Sequence, residues 1–341
     1  MKARIIFVER KRSTSTSIER VFRQIALDLA PDDFEIEFDA LPFGNGILAI
    51  IRNLLFYRKR LADIYHITGD VHYISLVLPK DRTVLTIHDL IFLHHRTGLR
   101  RYVLKKLFLD LPLRRLKYIT TVSQAVKNEI IKYAGVNRDA ITVIDDPLID
   151  GFVPDNVKPF DNNCPLILHI GTSENKNLEN LIAAILGLKC KLRIVGHLND
   201  KIIRLLKSEG VDHENVVSLD DRQMVDEYRK SDIVSFCSTY EGFGLPIIEA
   251  QAMQKPVVTS DLAPMNAVAG NGAALVDPYD ISSIREALLR LINDSEHRRQ
   301  LVAAGSENVR RFGGKAIAIR YAEIYKQMLD AEEAKHSCRR L

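Results

Sequence analysis

Residues 231–260 have the sequence SDIVSFCSTYEGFGLPIIEAQAMQKPVVTS, and this stretch decides the fold class. The apolar run at 233–237 is typical of a buried strand, and Pro246 stands where the first turn of a helix is expected. A second apolar, β-rich run follows at 256–260. A strand, a polar loop, a helix and another strand, in that order, predict a parallel sheet with helices on its faces.

The same alternation extends in both directions along the chain. The expected strands of the first half are ARIIFVE, FEIEFD, ADIYHIT, RTVLTIHD, KYITTVS and AITVID, and those of the second half are PLILHIG, KLRIVG, NVVSL, DIVSFCS, KPVVTS and AALVD. Helical patterns occur at 17–29, 47–61, 99–110, 123–133, 178–186, 200–209, 222–230, 246–253, 281–293, 296–311 and 315–334. The sequence therefore predicts an α/β protein.

A stretch without periodicity, rich in Pro, Asp and Asn, separates the two halves and is expected to be a linker at 147–164. We predict two doubly wound, Rossmann-like domains that face a central cleft. The first spans 1–146 and the second 165–314, and a C-terminal helix and tail at 315–341 are free to pack back toward the first domain. Such a cleft suits a reaction of two substrates, one bound by each domain.

Composition excludes several classes of protein. The 341 residues are 46% hydrophobic and 27% charged, which is ordinary for a globular chain and unlike disordered or collagen-like sequences. The net charge of +4, an excess of +6 in residues 1–150 and −2 in the rest, is too small to indicate a nucleic-acid partner. The scattered cysteines at 164, 190, 237 and 338 form no zinc or redox motif, so we expect a reducing, cytoplasmic location.

The loop at 238–245 carries the chemistry. Gly242 and Gly244 permit a tight turn, and the amides of Phe243, Gly244 and Leu245 face the positive end of the following helix, which suits an anion. Carboxylates accept hydrogen bonds from diols, so Glu241 and Glu249 could hold two sugar-like rings of one ligand. The alternative is a glycine-rich connection with two solvated glutamates. The loop lacks the third glycine of a dinucleotide fingerprint, which disfavours an NAD oxidoreductase.

The segment EGFGLPIIE (241–249) resembles the E-x7-E signature of retaining glycosyltransferase family four. HIGTSENKNLENLIAAI (169–185) is similar to the donor diphosphate loop of that family, and residues 121–146 resemble the end of its N-terminal domain. TIHDL (86–90) resembles a loop of the mannosyltransferase-like branch. The resemblance covers nearly the whole chain and implies the GT-B fold.

The resemblance also implies roles for residues of the second domain. Glu241 would bind hydroxyls of the transferred sugar, Glu249 the ribose, and Lys176 the departing diphosphate. The other donor-binding positions would be Gly171, Thr172, Gly196, Gly242, Phe243, Gly244 and Leu245. Thr172 and Asn175 replace an arginine that many relatives carry, so the second positive charge has no evident source; the run Arg10-Lys11-Arg12 is one candidate.

In the first domain, the resemblance places His88 against the transferred sugar as a catalytic residue. Candidate residues of the acceptor side are Arg12, Gly69 and Asp70, which follow expected strands, and Asp89, at the end of one. A histidine after a strand is otherwise most often a structural residue.

Segment 96–117 interleaves apolar residues with many basic ones against a single acid, Asp110. It fits a basic amphipathic helix resting on anionic lipid at the inner face of the membrane, or a core-packed helix with a solvated basic face. The sequence leaves both open.

We therefore expect a glycosyltransferase that moves a hexose-type sugar from a nucleotide-diphosphate sugar to a glycan or lipid-linked acceptor. Retention of anomeric configuration is implied by the resemblance, as is a place in cell-surface polysaccharide or glycoconjugate synthesis. No cofactor and no metal are expected, because no Asp-x-Asp motif is present. The alternatives are a nucleotide-sugar 2-epimerase of the same architecture and a non-catalytic carbohydrate-binding module.

Overall fold

A computed structural model describes residues 2–11, 17–29, 33–44, 46–94, 96–155 and 158–338, except for the side chains of Arg138 and of residues 336–338. The chain divides into two compact units. The first comprises Met1–Pro147 together with Gly313–Leu341, and the second comprises Leu148–Phe312.

The sheet of the first unit is entirely parallel, with strand order β2-β1-β3-β4-β5-β6. Its strands are β1 (Ala3–Glu9), β2 (Phe34–Ala40), β3 (Ile64–Ile67), β4 (Thr83–Ile87), β5 (Tyr118–Thr121) and β6 (Ile141–Val143). The chain direction along the sheet reverses between β1 and β3, and ligands of such sheets bind beyond the carboxyl ends of the strands at this point. The residues that directly follow β1 and β3 are therefore placed for function.

The helices of the first unit are α1 (Ser17–Asp28), α2 (Ile47–Phe56), α3 (Ile91–His94), α4 (Gly98–Lys105), α5 (Leu111–Arg115) and α6 (Gln124–Ala134). The single helix expected at 99–110 is instead α4 followed by a π-helical turn, Lys106–Asp110, that leads directly into α5. Pro112 lacks the amide hydrogen that a continuous α-helix would need at this place. Helix α2 ends at Phe56 and not at residue 61, because Tyr57 is extended.

The second unit has its own parallel six-stranded sheet, in the order β12-β11-β10-β7-β8-β9. Its strands are β7 (Leu166–Ile170), β8 (Lys191–Val195), β9 (His213–Val216), β10 (Ile233–Phe236), β11 (Val257–Ser260) and β12 (Ala274–Val276). The strand expected at 215–219 lies earlier, since Ser218 has a φ of 56° and leaves the extended conformation. The order reverses between β7 and β10, so the loops after these two strands mark the ligand crevice of this unit.

The helices of the second unit are α7 (Leu178–Ile185), α8 (Asp200–Ser208), α9 (Asp221–Lys230), α10 (Leu245–Ala252), α11 (Met265–Ala269), α12 (Ile281–Asn293) and α13 (Ser295–Asn308). The stretch expected as a linker, 147–164, belongs to this unit apart from Pro147. Buried Asp232 holds part of it: its carboxylate accepts hydrogen bonds from Lys158 Nζ at 3.0 Å and from the amide of Asp161 at 3.1 Å.

The last helix, α14 (Gly314–Cys338), returns to the first unit and packs on α1. Its Tyr325 hydroxyl lies 2.7 Å from Nδ1 of His66 on β3, and the other ring nitrogen lies 2.7 Å from Thr86 Oγ1 on β4. Burial lowers the pKa of His66 to about 3, so the ring is neutral. It links the helix to the sheet through hydrogen bonds and through ring contacts with Tyr321 and Tyr325.

Candidate active site

Two loops of the second unit meet at the point where the strand order reverses. Hydrogen bonds between the loop after β7 and the loop after β10 include Thr239 N to Asn175 O at 2.8 Å, Asn175 Nδ2 to Tyr240 O at 2.9 Å, and Asn177 Nδ2 to Cys237 O at 3.0 Å. Asn175 is therefore a cross-link between the loops.

The same junction brings together the two charged residues assigned to sugar and phosphate. Lys176 Nζ lies 2.6 Å from Glu241 Oε1, and it also lies 4.8 Å from the centre of the Phe236 ring. The side chain of Lys176 is 21% exposed and that of Glu241 is 14% exposed, so the pair is largely shielded from water but still accessible to a ligand. The sequence placed these residues in one site but did not predict their direct contact.

Glycines make room for this arrangement. Gly171 has a φ of 89°, and a Cβ at this position would lie 2.9 Å from Lys176 Cε. Gly196 has a φ of 133°, and a Cβ there would lie 3.0 Å from Thr172 Cγ2. Both glycines are thus required by backbone conformation and by close packing.

The hydroxyl groups of the diphosphate loop have partners within the protein. Thr172 Oγ1 donates to His197 O at 2.6 Å, and Ser173 Oγ donates to Asn175 Oδ1 at 2.7 Å. Their hydrogens are already used, so backbone amides and Lys176 remain as the groups that could bind phosphate in this loop. Thr172 also lines a polar cavity of about 540 Å³ together with Asn177, Asn180 and Tyr279.

Helix α10 begins at the glycine-rich turn. Gly244 has a φ of 124° and caps the helix, and Leu245 and Pro246 form its first turn. The side chain of Phe243 is buried against Phe312, with ring centres 5.5 Å apart, so this residue can offer only its backbone to a ligand. Gly242 precedes it in the same turn. The amino end of an α-helix attracts anions, which is consistent with a phosphate nearby.

Glu249 lies within α10 and is only 4% exposed. Its Oε2 accepts a hydrogen bond of 2.6 Å from the hydroxyl of Tyr228, a fully buried residue on α9. The hydrogen bond fixes the carboxylate in one orientation. Nothing in the sequence pointed to Tyr228, because the contact spans two elements and no local motif encodes it.

His169, on β7, is a second residue that the sequence analysis missed. It is buried, and burial together with the nearby charge of Lys176 lowers its pKa to about 4. A neutral ring at this place adds no positive charge to that of Lys176.

The first unit places His88, Gly69 and Asp70 at the carboxyl edge of its sheet. His88 is buried, and its Nε2 lies 3.0 Å from the carbonyl oxygen of Thr68, so this nitrogen carries the hydrogen. Burial lowers the pKa of His88 to about 4, which makes it a neutral hydrogen-bonding group at pH 7.

Arg10 lies beside these residues. Its guanidinium donates to Glu19 Oε1 at 2.7 Å and lies 3.5 Å from Asp70 Oδ2. A Cβ on Gly69 would lie 2.9 Å from Arg10 N, which explains the glycine. Asp89 accepts a hydrogen bond of 2.9 Å from the amide of Ile91, the first residue of α3. Arg12 lies outside the described residues.

Segment 96–117 divides into two parts. Leu99 and Tyr102 on α4 are 78% and 59% exposed, whereas Leu109, Leu113 and Leu116 are buried in the core. Across the part of the chain that the structure describes, no helix combines the length and the apolar character needed to cross a membrane.

Comparisons with known proteins give matches in both units. Residues 155–308 match the family model described as glycosyl transferases group 1, and residues 25–147 match glycosyltransferase family 4. O-antigen chain mannosyltransferase B of Escherichia coli is 28% identical over 287 residues, which cover 77% of this chain and 74% of that protein. O-antigen chain mannosyltransferase RfbU of Salmonella typhimurium is 27% identical over 225 residues, 63% of this chain and 62% of that protein.

Among solved structures, Anabaena Alr3699/HepE in complex with UDP and glucose has a TM-score of 0.75 at 18% identity, covering 95% of this chain and 100% of that one. This likeness concerns the fold, and it confirms the predicted fold class of two doubly wound units of GT-B type. The family matches fall on the two units in turn and extend over most of the chain. The chain therefore belongs to the GT-B glycosyltransferases of the family-four type.

Proposed function

We propose that this protein transfers a hexose-type sugar, with retention of configuration, from a nucleotide-diphosphate sugar to a glycan or lipid-linked acceptor. The second unit would bind the donor and the first the acceptor, in the synthesis of a cell-surface polysaccharide or glycoconjugate. The observation that carries the proposal is the contact between Lys176 and Glu241 beside the amino end of α10. The names of the mannosyltransferase relatives support the choice of a hexose and of a polysaccharide product.

The charges of the site suit the departure of a diphosphate. Lys176 would stabilise the negative charge that develops on the leaving oxygen, and the amides at the start of α10 would add to this effect. Glu241 would accept hydrogen bonds from sugar hydroxyls once the donor draws Lys176 away from it. His88 would contribute a neutral hydrogen-bonding group for the sugar.

Retention would follow from attack on the face of the sugar that the diphosphate leaves. In this step the acceptor oxygen bonds to the anomeric carbon, the bond from that carbon to the diphosphate oxygen breaks, and the diphosphate takes the acceptor proton. We propose that no metal takes part. Within the described residues, no three His, Cys, Asp or Glu side chains are clustered as a metal ion requires, and Lys176 supplies a positive charge instead.

Lys176→Ala tests the proposal. We expect turnover to fall at least ~100-fold, as when one preorganised donor to a developing oxyanion is removed. Lys207→Ala, on the exposed face of α8, serves as the matched control and should keep wild-type turnover. Wild-type rates in Lys176→Ala would contradict the assignment, and conversion of the donor to an epimer without acceptor would favour an epimerase.

The nucleotide is to be identified by binding. A ligand that binds only the native state raises the melting temperature, so the four candidates UDP, GDP, ADP and dTDP can be ranked by thermal shift. Loss of activity in EDTA that is restored by Mg²⁺ or Mn²⁺ would contradict the proposed independence of metal.

A cytoplasmic location with a peripheral membrane contact through 96–117 belongs to the same proposal. It is supported by the exposed apolar residues of α4 beside arginines, a combination that suits anionic lipid. Sedimentation with vesicles that contain phosphatidylglycerol, compared with neutral vesicles, would measure it.

A further inference from the structure

A cavity of about 1000 Å³ lies within the first unit, apart from the loops that carry the candidate donor site. Helix α2 forms one wall, and residues of α3, of α4 and of the π-helical turn form the other. The apolar residues that line it include Ile47, Ile50, Phe92, Val103, Leu104 and Phe108. A cavity of this size and apolar lining is typical of a ligand-binding site. A ligand that covers the apolar surface removes it from water, which favours binding.

Two arginines give this cavity a charged part. Arg96 and Arg100 line it and are exposed, and no hydrogen bond or ion pair joins either guanidinium to another described residue. A guanidinium binds phosphate through paired hydrogen bonds. An apolar cavity beside two such groups complements a molecule that is apolar at one end and anionic next to it.

The cavity also reaches the functional edge of the sheet. Asp70, which follows β3 where the strand order reverses, is one of its lining residues and lies 3.5 Å from Arg10. Its side chain is 44% exposed, so a hydroxyl group in the cavity can donate a hydrogen bond to it.

We propose that the cavity binds an amphiphilic acceptor in which a phosphate or diphosphate joins an apolar chain to a sugar. The chain lies between α2 and α4, the phosphate between Arg96 and Arg100, and a sugar hydroxyl against Asp70. This inference rests on the proposed function and selects the lipid-linked acceptor from its two acceptor classes.

Calorimetric titration of the whole protein with farnesyl diphosphate tests the proposal. Farnesol and inorganic diphosphate each supply only one part of the ligand, so we expect each to bind at least ~10-fold more weakly. The double variant Arg96→Ala/Arg100→Ala should weaken farnesyl diphosphate at least ~10-fold, since charge-assisted hydrogen bonds are lost. Lys2→Ala/Lys315→Ala removes two exposed charges of the same unit away from the cavity and should change affinity by less than ~2-fold.

A second pair of variants tests the apolar part without disturbing the core. Leu99 lines the cavity and is 78% exposed, and Leu27 on α1 is 76% exposed and does not line it. Leu99→Ser, which adds no charge beside the two arginines, should therefore weaken the binding of farnesyl diphosphate, whereas Leu27→Ser should not. Both substitutions replace a side chain that is mostly in water already, so neither should unfold the protein.

Nucleotide-diphosphate binding, measured on the same samples, separates this inference from the proposed function. Nucleotide binding without farnesyl diphosphate binding would overturn the inference alone. The inference would also be wrong if the cavity variants weakened only sedimentation with phosphatidylglycerol vesicles, because the surface would then serve the bilayer.

Discussion

At the scale of single residues, the buried hydroxyl of Tyr228 fixes the orientation of the Glu249 carboxylate. Tyr228→Phe removes a 2.6 Å hydrogen bond to a carboxylate that is 4% exposed. We expect a loss of about 1–3 kcal/mol in the free energy of unfolding, because a buried acceptor loses a partner, and weaker nucleotide-diphosphate binding. Urea unfolding and calorimetry measure the two effects.

Tyr325→Phe is the matched control. This tyrosine is also fully buried and hydrogen-bonded, but in the first unit to His66. It should lower stability and leave nucleotide binding unchanged. Equal effects of both variants on nucleotide binding would show that Tyr228 has no special part in the donor site.

Replacing Glu249 and replacing Glu241 should have different effects on nucleotide binding and on turnover. Free nucleotide diphosphate has a ribose but no transferred sugar, so Glu249→Ala should weaken its binding by about 1.5–3 kcal/mol. Glu241→Ala should not, because it frees Lys176 from a 2.6 Å ion pair and leaves that charge to the diphosphate. It should instead reduce turnover, since sugar contacts matter most as the anomeric carbon gains charge. The opposite pattern in calorimetry and steady-state rates would reverse the assignment.

At the scale of elements, the turn after β7 depends on Gly171. Gly171→Ala places a Cβ 2.9 Å from Lys176 Cε and should displace the lysine, with a fall in turnover of at least ~10-fold. Gly187→Ala has a similar φ of 71° but open space around the new Cβ, so it should cost about 1 kcal/mol of stability and no activity. Comparable rates in the two variants would show that the close approach is unimportant.

Elements dictated by local pattern were predicted well. Strand β1 and helix α12 have the expected bounds, because each is a clean apolar pattern between strong end signals. The sequence did not predict α3 or α11, of four and five residues, since so short a helix shows no full period. The π-helical turn before Pro112 was also missed, because it interrupts the helical period at a place where no glycine marks the interruption.

At the scale of the molecule, stability should fall on mild acidification. Buried His66, His88 and His169 have pKa values of about 3, 4 and 4, below the usual value of about 6.5, so the unfolded chain takes up protons first. Buried Asp146 acts in the opposite direction, because burial raises its pKa to about 8 and the native state holds its proton. Near pH 5 the net difference is roughly two protons, so the free energy of unfolding should fall by up to about 3 kcal/mol per pH unit.

Urea titrations at pH 7, 6 and 5 measure this slope. His66→Gln should reduce it, whereas His213→Gln, at an exposed position, should leave it unchanged. A flat profile between pH 7 and 5 would mean that the buried rings gain their protons without unfolding.

The candidate site was predictable to the extent that chain-local motifs encode it. Glu241, Lys176 and the glycines stand in loops that follow strands, and the order of strands brings those loops together. The Lys176–Glu241 contact, the hydroxyl of Tyr228 and the cavity beside Arg96 arise from packing between distant segments. Side-chain placement of that kind leaves no periodic trace in a sequence.

The return of α14 to the first unit has a consequence for biosynthesis. A ribosome releases residues 148–312 before it completes the helix that the first unit needs, so the second unit is contiguous in the nascent chain and the first is not. The His66 ring gains the Tyr325 hydroxyl as a hydrogen-bond partner only after that residue, more than 250 positions later, has been synthesised. The second unit can thus fold during translation, while the first unit remains incomplete until α14 has been synthesised.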